Sequence, residues 1–127
     1  MTDSSPQRIL VVDDEENIVG FISAVLTRSG YEVISTTRGK EAVSLAKEKT
    51  PHLIILDMRI PDLGGEEIFR ILSQDKSTSR IPIIYLTGTV SRDEEKFMHD
   101  FTGRMKVLAK PTTAEKILQA VKKTLSS

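Results

Sequence analysis

Five residues able to do chemistry together stand where short apolar segments end. Asp13 and Asp14 follow Ile9–Val12, Asp57 follows Leu53–Leu56, Thr87 follows Ile81–Leu86, and Lys110, with Pro111 behind it, follows Val107–Ala109. Brought together, they would form a pocket of three carboxylates, one hydroxyl and one ammonium. Close carboxylates repel and raise one another's pKa, so such a pocket suggests a divalent cation, and all-oxygen ligation favours hard Mg²⁺. With two His and no Cys in the chain, zinc fits poorly. Singly, each residue has an ordinary explanation: Asp14 as a helix cap, Asp57 and Thr87 as turn residues, Lys110 as a solvated lysine. Convergence of all five would set those explanations aside, and convergence depends on the elements that carry them.

Those elements alternate. Ile9–Val12 is β-branched and nearly continuously apolar, the pattern of a strand buried on both faces. From Glu15 to Ser29, Ile18, Ile22, Val25 and Leu26 recur at helical spacing, and Gly30 suits a left-handed cap. A strand over Tyr31–Thr36 and a helix over Gly39–Lys49 follow, the helix halted before Pro51. Next come the strand Leu53–Leu56, the turn Pro61–Gly65, a helix over Glu66–Gln74, a polar loop over Asp75–Arg80 and the strand Ile81–Leu86. Ser91 and Glu94 have capping-box spacing for a helix running toward Phe101, and Thr112 and Glu115 have it for a last helix with Ile117, Val121 and Leu125 on one face. Five strands alternating with five helices require right-handed crossovers and parallel pairing, hence an α/β doubly wound (βα)₅ sheet. In such sheets ligands sit beyond the carboxyl ends of the strands, where all five candidate residues fall.

The 127-residue chain suits one domain, with 18 basic and 18 acidic residues and zero formal net charge. This balance leaves no general electrostatic footprint for direct nucleic-acid binding. The longest apolar runs have four residues, far short of the roughly 18 that span a bilayer. Residues 1–7 show neither a basic nor an apolar signal region and read as a mobile tail. A cytoplasmic, cysteine-free protein with no membrane anchor is expected.

Val11-Val12-Asp13-Asp14-Glu15-Glu16, Leu56-Asp57-Met58-Arg59-Ile60-Pro61, Leu86-Thr87-Gly88 and Ala109-Lys110-Pro111 together resemble the receiver domain of bacterial two-component response regulators, over residues 8–126. The resemblance implies a flavodoxin-like sheet of strand order 2-1-3-4-5, which periodicity does not supply. It implies Asp57 as the carboxylate that accepts a phosphoryl group, with Asp14 binding Mg²⁺ directly and Asp13 mainly through water. Asp57 and the main-chain carbonyl of Arg59 would complete the protein's share of the ligands. Lys110 and Thr87 would meet phosphoryl oxygens, Pro111 would follow a cis bond, Thr87 would act as a switch, and Arg59 and Thr89 would tune the lifetime of the modified state. The donor would be a histidine kinase or histidine phosphotransfer protein.

This chain departs from the pattern in places. Val107 occupies the position where many receivers carry a Tyr or Phe that turns inward on phosphorylation, so this switch position lacks its ring. Gly64-Gly65 replaces the usual Asp-Gly, and Gly88 a usual Ala. Gly103 matches the family, whereas Arg104 and Lys106 make the approach to the last strand unusually basic. His52, His99, Phe97, Met98, Phe101 and Lys122-Lys123 read as packing or surface residues outside the site.

A phosphorylation-independent interaction module is the alternative function. An aspartyl-phosphate phosphatase would place a second acid two residues after its nucleophile, where this chain has Arg59. A flavin-binding module needs a first loop that cradles phosphate, which Asp13-Asp14-Glu15-Glu16 would repel. With no further domain expected after the last helix, the chain reads as a stand-alone receiver or a piece of a longer regulator, a monomer or weak dimer. Its output partner or fused output domain is unknown from sequence.

Overall fold

The computed structural model describes residues 6–88 and 105–126, with 105 and 106 described by backbone alone. In chain order the elements are β1 (Arg8–Val12), α1 (Glu16–Arg28), β2 (Glu32–Thr36), α2 (Gly39–Lys49), β3 (Leu53–Asp57), α3 (Gly65–Ser73), β4 (Ile83–Thr87), β5 (Met105–Ala109) and α4 (Ala114–Leu125). The helix expected from Ser91 toward Phe101, with its capping box, lies outside the described residues. So do Thr89, Phe97, Met98, His99, Gly103, Arg104 and the first five residues of the expected tail.

The sheet order is β2-β1-β3-β4-β5, and every neighbouring pair is parallel. β1 thus lies inside the sheet, between β2 and β3, and the chain moves to one side of it for β2 and to the other for β3. That reversal opens a crevice above the carboxyl ends of β1 and β3.

Side-chain alternation along the strands divides the core between the two faces. Leu10, Val12, Ile54, Leu56, Ile83 and Tyr85 face Ala42 and Ala46 of α2 and Ile68, Phe69 and Leu72 of α3. Ile9, Val11, Leu53, Ile55, Ile84 and Leu86 face Ile22 and Leu26 of α1 and Ile117 and Val121 of α4. Burial on both sides explains why β1, β3 and β4 read as unbroken apolar runs. Each fully buried Ile or Leu contributes about 1.5–3 kcal/mol relative to exposure, so these three strands form the rigid floor of the crevice. The edge strand β2 is mixed, with Glu32 and Ser35 exposed.

Local signals set the element ends. Gly30 adopts φ 92° after α1, the left-handed geometry its position suggested. Thr50 adopts φ 41° after α2, an unusual conformation for a β-branched residue, and the chain then enters Pro51. One expectation is corrected at α4. The cap is Thr113, whose hydroxyl accepts from the Lys116 N–H at 3.2 Å, whereas Thr112 Oγ1 is buried with no hydrogen bond among the described residues. Two adjacent threonines offered two registers, and the helix starts one residue later than the box spacing implied.

Candidate functional site

The sheet delivers the five candidate residues to one rim. In register, Asp57 pairs with Leu86 and Thr87 with Ala109, so Asp57, Thr87 and Lys110 leave adjacent strands at nearly one level. On the other side of β3, Leu56 pairs with Val12, which puts Asp13 beside Asp57. Carboxylate oxygens of Asp13, Asp14 and Asp57 all lie within 4.8 Å of one another. Asp13 is fully buried, Asp57 and Thr87 are buried, and Asp14 is exposed to solvent.

Lys110 is the cation that makes this density of acid tolerable. Its Nζ lies 2.8 Å from Asp13 Oδ2 and 3.5 Å from Asp57 Oδ2. Its backbone N–H donates to Thr87 O at 2.9 Å, anchoring the loop after β5 to the end of β4, and the Lys110–Pro111 peptide is cis. Asp13 Oδ1 accepts from the Glu15 N–H at 3.0 Å, which turns the chain into α1 and leaves Asp14 projecting over the crevice. After Asp57, the Met58 N–H donates to Leu86 O at 3.2 Å and the Gly65 N–H to Met58 O at 3.0 Å, closing the loop that contains Arg59. The Arg59 N–H faces Asp57 Oδ1 at a long 3.4 Å.

The electrostatics follow from this packing. Burial, then the Asp13 charge, pushes the Asp57 carboxyl up to about 6, although Lys110 and the Arg59 N–H pull the other way. Burial works against the Lys110 ammonium, but hydrogen bonding and charge from Asp13, with Asp57 and Glu15, outweigh it and hold its pKa above the ordinary lysine value. The site is therefore short of positive charge. Asp13 Oδ2 is buried and, its ion pair with Lys110 apart, accepts no hydrogen bond from a described neighbour. Three converging carboxylates that share a single ammonium fit a hard divalent cation of Mg²⁺ type.

Two residues near the site were read from sequence only as parts of a turn or a strand. Tyr85, completely buried on β4, donates its hydroxyl to Gly65 O at 3.3 Å and so ties the start of α3 to the strand that ends in Thr87. Burial, then the Glu66 charge, raises its pKa and keeps that proton in place. Gly65 is required by space: a Cβ there would lie 2.9 Å from Asp57 O and 3.0 Å from Met58 Cα. His52 lies at the opposite end of the sheet, where its Nδ1 accepts from the Arg8 N–H at 2.9 Å. Lys122 and Lys123 are exposed in the last turn of α4.

Comparison with known proteins agrees with this geometry. The chain is 31% identical over 121 residues to the polar-differentiation response regulator DivK of Brucella anthropi, covering 94% of this chain and 97% of DivK. It is 31% identical over 119 residues to protein PilH of Pseudomonas aeruginosa, covering 94% and 98%. Identity is 39% over 121 residues to the transcriptional regulatory protein PhoP of Bacillus subtilis, of which this chain spans 48%. Among solved structures, Vibrio cholerae chemotaxis protein CheY4 superposes with a TM-score of 0.85 at 27% identity, covering 94% of this chain and 98% of that one. The receiver domain of the Pseudomonas aeruginosa sensor histidine kinase PA1611, described with a magnesium ion coordinated in its active-site cleft, superposes at 0.86 with 27% identity, covering 96% and 99%. Residues 9–122 match the response regulator receiver domain family. A parallel sheet with its acids, lysine and threonine gathered at one crevice, and a match along nearly its whole length, place this chain in the receiver domain family of two-component response regulators.

Proposed function

We propose that Asp57 is the phosphoryl acceptor of this receiver, in a Mg²⁺-dependent reaction whose donor is a histidine kinase or histidine phosphotransfer protein. The observation that carries this reading is the position of the buried Asp57 carboxylate, 3.5 Å from the Lys110 ammonium and within 4.8 Å of two further carboxylates. Asp14, Asp57 and the Arg59 main-chain carbonyl would hold the metal directly and Asp13 through water. When bound, Mg²⁺ supplies charge neutralisation for the phosphoryl oxygens.

The chain's own groups do the rest. An ionised Asp57 oxygen attacks phosphorus as the bond from phosphorus to the donor imidazole nitrogen breaks, and the leaving imidazole keeps that electron pair and takes up a proton. Lys110, a compact ammonium, stabilises one phosphoryl oxygen, and the Thr87 hydroxyl donates to another. The raised pKa of Asp57 does not block the reaction at neutral pH, since a group with a pKa of about 6 is mostly ionised there. Movement of Thr87 toward the modified Asp57 biases a pre-existing equilibrium between two surface states. Val107 is 43% exposed on β5, opposite Tyr85 in register, and supplies no aromatic swing. The response therefore runs through the backbone after Thr87 and around Lys106.

In this reading residues 8–126 form the receiver, with 1–7 outside it, and the protein acts in the cytoplasm as a switch that catalyses only its own phosphorylation and dephosphorylation. Among the described residues no helix is long and apolar enough to cross a membrane. Incubation with acetyl phosphate and Mg²⁺, read by intact mass, tests the proposal: one phosphoryl group per chain is expected, and none when Mg²⁺ is chelated. No incorporation with Mg²⁺ present would favour the phosphorylation-independent interaction module.

Arg59, exposed two positions beyond Asp57, stands at the expected approach of the hydrolytic water, and Thr89 shares that role outside the described residues. Arg59→Ala is expected to change the dephosphorylation rate about fivefold, equivalent to about 1 kcal/mol of barrier, while the yield at saturating donor stays constant. Superimposable decay curves for parent and variant would remove Arg59 from this role.

A further inference from the structure

Asp62 belongs to none of the groups assigned above, yet it joins two loops that border the site. From the segment between β3 and α3, its Oδ1 accepts from the Gly39 N–H at 2.8 Å and its Oδ2 from the Lys40 N–H at 3.0 Å. Both donors belong to the first turn of α2, where the helix itself supplies no acceptor and the N-cap residue, Arg38, makes no side-chain cap bond. The two N–H donors hold the Asp62 carboxyl below the usual carboxylate range, so the link is made by an anion at neutral pH. Close approach requires glycine at 39, where a Cβ would lie 2.4 Å from Leu63 O.

The link completes a circuit around the acidic crevice. The Asp13 N–H donates to Thr36 O at 3.4 Å, and Thr36 Oγ1 accepts from the Arg38 N–H at 3.1 Å. Asp62 then carries the connection from the start of α2 to the loop that holds Arg59. An open groove of about 430 Å³ lies between the two loops, lined by Asp14, Thr37, Arg38, Lys40, Pro61 and Asp62. Loss of the Asp62 bonds would let the Arg59 loop drift away from the corner formed by Asp13 and Asp14.

We propose that Asp62 is a positioning residue for divalent-cation binding: by clamping the β3–α3 loop to the N-terminus of α2, it fixes the Arg59 main-chain carbonyl relative to Asp13 and Asp14. The inference rests on the Mg²⁺ reading above. Groups that orient metal ligands from outside the coordination shell typically change affinity about 10- to 100-fold when removed, and a clamp one loop away belongs at the lower end.

Calorimetric Mg²⁺ titration of the whole chain tests it, beside amide hydrogen exchange without metal. Asp62→Ala is expected to weaken Mg²⁺ about tenfold and to speed exchange at the Gly39 and Lys40 amides. Asp62→Asn, which loses the same charge but keeps one acceptor oxygen, should fall between Asp62→Ala and the parent. Asp75→Ala is the control: it removes another carboxylate that caps a turn, at Ser77, and reaches α2, at Lys47, but from the loop after α3. It should leave affinity within about twofold of the parent, as expected for a site outside the metal's supporting shell.

Parent affinity in Asp62→Ala, equal losses in Asp62→Ala and Asp62→Asn, or an equal loss in Asp75→Ala would overturn the inference. Should Asp62→Ala fail to fold, Asp62→Asn decides, by weaker binding than the parent or by none. A parent that binds no Mg²⁺ would instead sink the reading on which the inference rests.

Discussion

Lys110→Ala is expected to destabilise the metal-free protein by about 2–4 kcal/mol and to tighten its Mg²⁺ binding. Removing one partner of a buried ion pair costs about 3–5 kcal/mol because the other charge is left uncompensated, and 19% exposure of the lysine side chain moderates that figure. Asp13 bears most of the loss. It is fully buried, and Lys110 lies closer to it, at 2.8 Å, than to Asp57, at 3.5 Å. Without the ammonium, three carboxylates face a site that a divalent cation can fill with no competing charge, so millimolar Mg²⁺ should restore much of the stability. Urea unfolding with and without Mg²⁺, followed by circular dichroism, measures both effects. A loss below about 0.5 kcal/mol, the range of ordinary surface substitutions, would mean that Lys110 is not the counter-charge of the crevice.

Asp57→Asn should raise stability at neutral pH, and the gain should vanish in acid. The Asp57 carboxyl titrates near 6 in the folded protein and near 3.8 when unfolded, so the folded state binds its proton more tightly. Between those values stability falls as pH rises, and the full penalty is present above about 6. The difference, in which the opposing attraction of Lys110 is already included, corresponds to about 1–3 kcal/mol after solvent screening. Asparagine keeps the shape of the side chain without the charge. Above about pH 6 its unfolding midpoint should therefore exceed that of the parent by several degrees, and below about pH 4 the two should converge. Midpoints measured in metal-free buffer across that window give the answer. Parallel profiles would show that the Asp57 charge is not under strain in the folded protein.

Much of the fold was legible because its central strands are buried on both faces. Ile9–Val12, Leu53–Leu56 and Ile81–Leu86 read as strands from their short apolar runs, and Glu32 and Ser35 broke the pattern of β2 because it lies at an edge. The order of the strands was not legible from periodicity, since a hydrophobic pattern records which faces are covered and not which strand lies alongside. It came from the resemblance of the site motifs. The site itself was readable because parallel topology sends every strand end to one rim, and the residues at those ends are chemically unusual together.

What escaped the sequence depends on approach between distant segments or on choices between near-equivalent neighbours. Asp62 looked like an ordinary turn residue, since nothing local announces that its two oxygens will meet the start of a helix more than 20 residues upstream. Tyr85 looked like any strand aromatic until its hydroxyl was found on Gly65 O. Thr112 and Thr113 are chemically identical candidates for one cap, and nothing in their side chains tells that Thr113 is the one that accepts from Lys116. Thr50 in a left-handed conformation had no sequence signal, because Pro51 alone accounted for the end of α2.

The most direct measurement concerns where the phosphoryl group goes. Borohydride reduction converts an aspartyl phosphate to homoserine, so peptide mass spectrometry after treatment with acetyl phosphate and Mg²⁺ reads the acceptor position itself. Homoserine at position 57, absent from Asp57→Ala and from samples pretreated with hydroxylamine, is the predicted result. Homoserine at position 13 or 14 in the parent, or an unreduced phosphoryl label that persists in Asp57→Ala, would contradict the assignment of Asp57 as the acceptor.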